Sequence, residues 1–354
     1  MAGLPPPARL PLLALGFLSL LAGVAGGFAR LGLEPMPIGD DAAVLHGALM
    51  VSGFFGAVIC LERAVALERL WGYAGPLACG LGGIAMAGGF PLAGGLLQLA
   101  GSVLLVAMSV AILGRQRTLE TWTMGGGALC WCAGNGMLAA GMPVAAAVPW
   151  WIVFFALTIG AERLELSRYL PRGRAVQLAF AAIAVALPAS ALWSLAVQGV
   201  VLLALAGWLF AFDIARKTAK GSGLPRYIAI CLLGGYVWLA AGGALCAALA
   251  AERAGPLYDA ALHAFFVGFV FSMVFGHAPI ILPAVLRVAL GYTRWLYLPL
   301  AALQLSLAFR VAGDLAGSYA LRSAGSIGNA AAIALFVVIA VATVFRRSAQ
   351  PRSA

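Results

Sequence analysis

The sequence predicts an all-α, polytopic integral membrane protein of about twelve transmembrane helices, with both termini on the inner side. Hydrophobic residues make up 63% of the chain and charged residues only 10%, whereas a globular domain carries about 25% charged residues. Mean hydropathy is +1.02. Apolar runs long enough to cross a hydrocarbon core, about 20 residues, recur along the whole chain between short charged or Gly/Pro-rich breaks. No polar stretch is long enough to form a soluble domain, so residues 1–354 read as a single transmembrane helical domain.

The elements follow in order. Span 10–29 begins after Arg9 and has small residues near Gly23-Val24-Ala25. Its apolar run is longer than the core of a signal peptide, so it is read as a helix. Span 42–61 follows the acidic pair Asp40-Asp41. Spans 72–90 and 92–114 form one tight hairpin, and 175–192 and 194–212 form another. The remaining spans are 122–141, 144–161, 227–250, 260–285, 295–315 and 324–345. Removing either hairpin would leave ten spans and the same orientation.

The formal charge is +10, but the charges are scattered over short loops. The expected partner is therefore the lipid bilayer, not nucleic acid. With the N-terminus inside, the inner segments hold 18 of the 22 basic residues, including both lysines, Lys217 and Lys220. The outer segments hold only Arg30, Arg253, Arg310 and Arg322, while the acidic residues split evenly. That bias is a positive-inside signal and places both termini in the cytoplasm. Trp71, Trp122, Trp150, Trp151, Trp193 and Trp295 fall near span ends, as an aromatic belt requires. High Ala, Arg, Gly and Leu with little Lys fits a GC-rich bacterial genome, hence the bacterial inner membrane.

The three histidines, His46, His263 and His277, all lie inside apolar stretches. An ionisable residue within a membrane is costly and marks a candidate functional site. His46 is five residues past Asp41, and His263 is four past Asp259. Both spans run from outside to inside, so at 1.5 Å per residue both histidines lie roughly 6–8 Å below the outer boundary. Arg310, 16 residues beyond the inner Arg294, reaches about 24 Å up a core about 30 Å thick. Two imidazoles at matched depth can ligate one haem iron, and a guanidinium suits a propionate. The structural alternative is that each histidine bonds to a neighbouring helix, and that Arg310 pairs with Asp314 at i+4. His277 lies 14 residues beyond His263, about 21 Å deeper. It precedes Pro279 and Pro283, which free backbone carbonyls. It would bond to such a carbonyl, line a polar cavity, or bind a second metal, with Cys60 at similar depth.

Cys130 and Cys132 face different sides of one helix. With Cys79, Cys231 and Cys246 they read as small buried hydrophobes. The 45 glycines suit close helix packing. Glu62-Arg63 and Glu162-Arg163 end the second and sixth spans and read as interfacial ion pairs, with proton entry as the functional alternative.

The span layout, with histidines near the outer face of the second and tenth helices, resembles the haem-copper oxidase subunit I architecture. The phrase VLHGALMVSGFFGAV is similar to the corresponding helix of its nitric oxide reductase branch. HAFFVGFVFSMVFGHAPIILPAVLRVAL is similar to the late helix of the NnrS family, whose members hold haem and copper and are linked to nitric oxide tolerance. The resemblance implies haem b ligated by His46 and His263, a propionate contact for Arg310, and copper as a further cofactor. It also departs from the oxidase pattern. PWWIVFFALTIG and AVQLAFAAIAVALPAS lack the copper-binding histidines, and His277 is too deep to be the extra ligand of the tenth helix. The resemblance therefore implies no oxygen- or nitric-oxide-reducing centre. The expected function is electron transfer, with a redox partner, or nitric oxide handling. The alternatives are a small-molecule transporter whose histidines line a path with Asn135, Asn329 and Gln304, and an assembly scaffold. No repeat of six spans is evident.

Overall fold

The computed structural model describes residues 3–33, 41–166, 173–249, 253–288 and 291–348. Among these it contains twelve long helices and no strand. They are α1 Pro6–Ala29, α2 His46–Leu67, α3 Leu70–Ala87, α4 Pro91–Leu113, α5 Leu119–Ala139, α6 Val144–Leu166, α7 Arg174–Ala191, α8 Leu195–Phe212, α9 Gly223–Ala248, α10 Pro256–Leu286, α11 Arg294–Ala316 and α12 Tyr319–Ser348. Eleven are long and apolar enough to cross a membrane. The exception, α5, is long enough but is diluted by Glu120, Thr121, Thr123, Gly125, Gly126, Gly127 and Asn135. The fold is that of an all-α, multi-pass membrane protein, and both tight hairpins are present.

The breaks between helices have local causes. Pro5 and Pro6 start α1, where the missing N–H of proline costs nothing. Thr118 and Thr121 cap the start of α5 reciprocally. Gly317, at φ 64°, ends α11 in the left-handed region that glycine enters without strain, and so turns the chain directly into α12.

By contacts the chain forms two compact units, Met1–Ala161 and Glu162–Ala354. In the first, α1 packs along α2 and α3, α3 pairs with α4, and α4 pairs with α5. Small residues set these approaches. A Cβ on Gly56 would overlap the Trp131 ring at 2.5 Å, and one on Gly53 would meet Ser19 Cβ at 2.8 Å. A buried polar network then ties α2, α4, α5 and α6 together. Asn135 Oδ1 accepts from Ser52 Oγ at 2.7 Å and from Trp151 Nε1 at 3.1 Å. Asn135 Nδ2 donates to the Gln98 carbonyl at 3.2 Å, and Trp131 Nε1 donates to Ser52 Oγ at 3.1 Å. Asn135→Leu leaves the Trp151 N–H and the Ser52 hydroxyl without this acceptor. It is expected to cost about 1–3 kcal/mol in detergent unfolding followed by tryptophan fluorescence. An unchanged midpoint would show that the network contributes nothing.

In the second unit, α7 pairs with α8, α8 with α9, and α11 with α12, while α10 packs against α9 and α11. Trp238 Nε1 donates to Gln304 Oε1 at 2.5 Å, and Gln304 Nε2 donates to Ser272 Oγ at 2.9 Å. Ser306 Oγ donates to Asn329 Oδ1 at 2.7 Å. Phe275 stacks on Phe336 at 4.1 Å between ring centroids.

The two units share a four-helix motif. In the first, α1 is followed by His46, a wide π turn at Leu49–Phe55, an α-helical stretch to Leu67, and Glu68 at φ 57°. A 3-10 turn, Leu70–Tyr73, then opens the α3–α4 hairpin. In the second, α9 is followed by His263, a π turn at Ala264–Val270, an α-helical stretch to Leu286, and Arg287 at φ 53°. A 3-10 turn, Arg294–Leu296, then opens the α11–α12 hairpin. Glu68 and Arg287 are the only non-glycine residues at positive φ among those described. The match extends to the sequences DAAVLH, ending at His46, and DAALH, ending at His263. A four-span repeat is therefore present where a six-span repeat was not evident.

Candidate functional site

His46 sits at the start of α2, on a helical restart. The turn Asp41–Val44 ends at Leu45, whose backbone lies at φ −90°, ψ 6°, outside the helical well. The ring packs on a glycine face of α1: a Cβ on Gly27 would lie 3.0 Å from His46 Cε1, and one on Gly26 would collide with the Ala42 carbonyl. Nδ1 is 2.6 Å from the Gly23 carbonyl oxygen. His263 ends the first two turns of α10, with Nδ1 2.8 Å from the Asp259 carbonyl oxygen. Each histidine is half-buried.

A carbonyl only accepts, so in both rings Nδ1 carries the proton. In the neutral imidazole Nε2 then holds the lone pair, the electrons that a metal takes. Metal-ligating histidines characteristically donate their other N–H to a carbonyl or carboxylate in this way. His263 has both: the Asp259 carboxylate is also 3.6 Å from its Nδ1.

Arg310 lies near this turn, as the sequence suggested, but with different partners. Its Nη2 donates to Asp259 Oδ2 at 2.7 Å, and its Nη1 donates to Ser326 Oγ. The i+4 partner expected from sequence, Asp314, instead faces Arg322 Nε at 3.0 Å, and Arg322 also reaches Asp259 at 3.5 Å. The reason is the close α11–α12 contact. A Cβ on Gly313 would overlap the Arg322 backbone, and one on Gly325 would overlap the Arg310 backbone. That approach brings Arg322 to Asp314 and turns Arg310 towards α10. Two aspartates and two arginines thus balance one another, with Asp259 shared between Arg310, Arg322 and the His263 turn.

His277 belongs to a second cluster, wholly within the second unit. Its Nδ1 donates to the Met273 carbonyl at 2.8 Å, and its Nε2 accepts from Arg163 Nη1 at 3.4 Å. Arg163 in turn grips Asp213 with two bonds, Nε–Oδ2 2.7 Å and Nη2–Oδ1 3.1 Å. Both side chains are almost fully buried, 4% and 1% exposed. Asp213 Oδ1 also accepts the Ala215 N–H at 2.6 Å, which caps the short turn after α8. With both ring nitrogens engaged, His277 is a structural acceptor. Arg163 is buried at the end of α6, and the acid it grips is Asp213.

Among the described residues no group of three or more His, Cys, Asp or Glu side chains could hold a metal ion. Every cysteine is a free thiol, and five of the six are buried. Asn135, Asn329 and Gln304 are all spent on the helix-to-helix bonds described above. Sequence reasoning missed Asp213 and Ser326. Asp213 was detectable as an isolated acid beside the basic segment ARKTAK; Ser326 carries no comparable signal. No curated protein and no solved structure shows significant similarity to the chain. The family model described as a domain of unknown function, DUF8744, matches residues 9–345, and the chain belongs to that family.

Proposed function

We propose that the protein binds haem b in the bacterial inner membrane, with His46 and His263 as axial ligands. One observation carries this reading. Each histidine stands just before a π turn, His263 immediately and His46 with Gly47 and Ala48 between, and each is fixed as the Nδ1–H tautomer by a backbone carbonyl. π turns are rare and concentrate at functional sites. The donor set fits the group, since neutral imidazole enters an apolar site cheaply and presents Nε2 for coordination. The resemblance to oxidase and NnrS helices supports the same assignment.

When bound, the haem supplies a one-electron iron couple, and two imidazole ligands suit it to electron transfer with a redox partner. The chain's own residues supply the rest. The Gly23 and Asp259 carbonyls set the tautomers. Arg310 and Arg322 neutralise Asp259 beside His263. In this reading Arg310 holds Asp259 and not a propionate, and His277 lies outside the ligand set. Copper has no place in the proposal, because the one further histidine is occupied by Arg163 and Met273. Nitric oxide handling is the alternative role for the same haem.

A second reading, small-molecule transport, is favoured by one observation, the internal repeat, since many transporters are built from repeats. The engagement of Asn135, Asn329 and Gln304 in helix contacts weighs against it.

The test is a dithionite-reduced minus oxidised visible spectrum of protein purified in detergent from a haem-replete host. The wild type is expected to show sharp α and Soret bands. His46→Ala and His263→Ala are each expected to alter or abolish them, while His277→Ala keeps them. A folded but colourless wild type would sink the haem reading and make transport the next assay.

A further inference from the structure

The last hairpin carries a groove where α11 begins and α12 ends, wholly within the second unit. It measures about 290 Å³ and is lined by Thr293 and Trp295 on one side and by Ile339, Ala342 and Thr343 on the other. That is close to the lower limit for small-molecule pockets, about 300 Å³.

Its two parts differ in chemistry. The wall is apolar: Trp295 is 58% exposed, and Leu298 of α11 and Val338 of α12, one turn further into the span, are exposed as well. The mouth is polar. Thr293 caps the start of α11, where its hydroxyl accepts the Trp295 N–H at 3.5 Å. A hydroxyl that accepts keeps its own proton to donate. Thr343 has given its proton to the Ala340 carbonyl at 2.7 Å. The N-terminus of α11 adds partial positive charge at the same end.

The charges around the mouth are all of one sign. Arg294, between Thr293 and Trp295, is exposed and forms no ion pair among the described residues. Arg346 and Arg347 fall three and four positions beyond Thr343, the spacing of a shared helix face. Segments 284–298 and 338–354 contain Arg287, Arg294, Arg346, Arg347 and Arg352, and no Asp or Glu. The charge bias of the sequence assigns this end to the cytoplasmic side, whose leaflet carries the anionic lipids. A soluble anion would use the mouth and leave the apolar wall bare. An anionic phospholipid uses both.

We propose that this groove binds one anionic phospholipid of the cytoplasmic leaflet. Its phosphate sits at Thr293 and Arg294, and an acyl chain lies along Trp295, Ile339 and Ala342. The proposal is independent of the haem reading.

The experiment uses the full-length protein in phosphatidylcholine vesicles, with brominated phosphatidylglycerol or brominated phosphatidylcholine as the probe. Bromine quenches tryptophan on contact, and wild-type minus Trp295→Phe emission isolates Trp295. Phosphatidylglycerol is expected to quench that emission at a mole fraction at least about tenfold lower than phosphatidylcholine. Arg294→Gln is expected to reduce the preference about fivefold, the factor for one basic residue at an anionic surface. Adding Arg346→Gln and Arg347→Gln is expected to abolish it. Ala342→Phe fills the wall, keeps every charge, and is expected to abolish it too. Lys217→Gln/Lys220→Gln, on a different basic loop, is expected to leave it unchanged. Equal quenching by the two lipids overturns the proposal. So does a preference lost equally in the lysine variant, which would mean diffuse surface charge. Full relief of quenching by inorganic phosphate also overturns it, since the mouth alone would then hold a soluble anion. Native mass spectrometry of the wild type in detergent, with both lipids added, decides the matter even where Trp295→Phe fails to fold. One phosphatidylglycerol is expected to stay bound, and no selective retention counts against the proposal.

Discussion

Replacing Arg163 with methionine is expected to destabilise the second unit by about 3–5 kcal/mol, the cost of leaving one member of a buried ion pair without its partner. The two groups form a forked pair at 2.7 and 3.1 Å, with side chains 4% and 1% exposed. Without the guanidinium, the Asp213 carboxylate loses both bonds of the fork and keeps the Ala215 N–H, and His277 loses the donor on Nε2. Arg163→Lys is expected to rescue little, because an ammonium cannot make both bonds of the fork at once. The double variant Arg163→Met/Asp213→Leu is expected to recover most of the loss, since replacing a whole buried pair with apolar groups is often neutral. Denaturant unfolding in detergent, followed by circular dichroism, measures all three. A loss within about 1 kcal/mol for Arg163→Met, as for an exposed pair, would mean that water reaches the cluster.

Gly26→Leu is expected to have a comparable effect in the first unit. A Cβ at Gly26 would overlap the Ala42 carbonyl and lie 2.8 Å from its carbon. The obstacle is backbone, so no rotamer change relieves it. Overpacking against side chains costs about 1–3 kcal/mol, and this collision is expected to exceed that range. The start of α2 must move away from α1, and the His46–Gly23 bond goes with it. Gly207→Leu is the matched control, because nothing lies within 4 Å of its added Cβ. It is expected to be neutral or stabilising by up to about 1 kcal/mol through helix propensity. Equal unfolding midpoints for the two variants would show that the α1–α2 approach is loose.

Helix number and order were legible because hydrocarbon thickness imposes a length on every span. The π turns were not. Their segments, LMVSGFF and AFFVGFV, are apolar on every face, and nothing in such a run favours an i→i+5 bond over an i→i+4 bond. The repeat was legible in DAAVLH and DAALH, but a search for a six-span period passes over a four-span motif. Of the site, the place of His263 beside an aspartate could be read from its spacing. The partners of Arg310 could not. Asp314 is the nearest acid in sequence, and only the glycine-mediated contact between α11 and α12 reveals that Asp259, 51 positions away, is the one it grips. His277 and Arg163 are 114 positions apart, beyond the reach of any local pattern.

The charge balance around Asp259 also bears on how the protein is made. Asp259 lies on the tenth helix, but its counter-charges, Arg310 and Arg322, are encoded 51 and 63 residues later. Ser326, which steadies Arg310, is later still. A nascent chain that has made α10 but not α11 and α12 holds Asp259 without either of its arginine counter-charges. The charge balance around Asp259 is therefore complete only once the final hairpin, α11–α12, has been made.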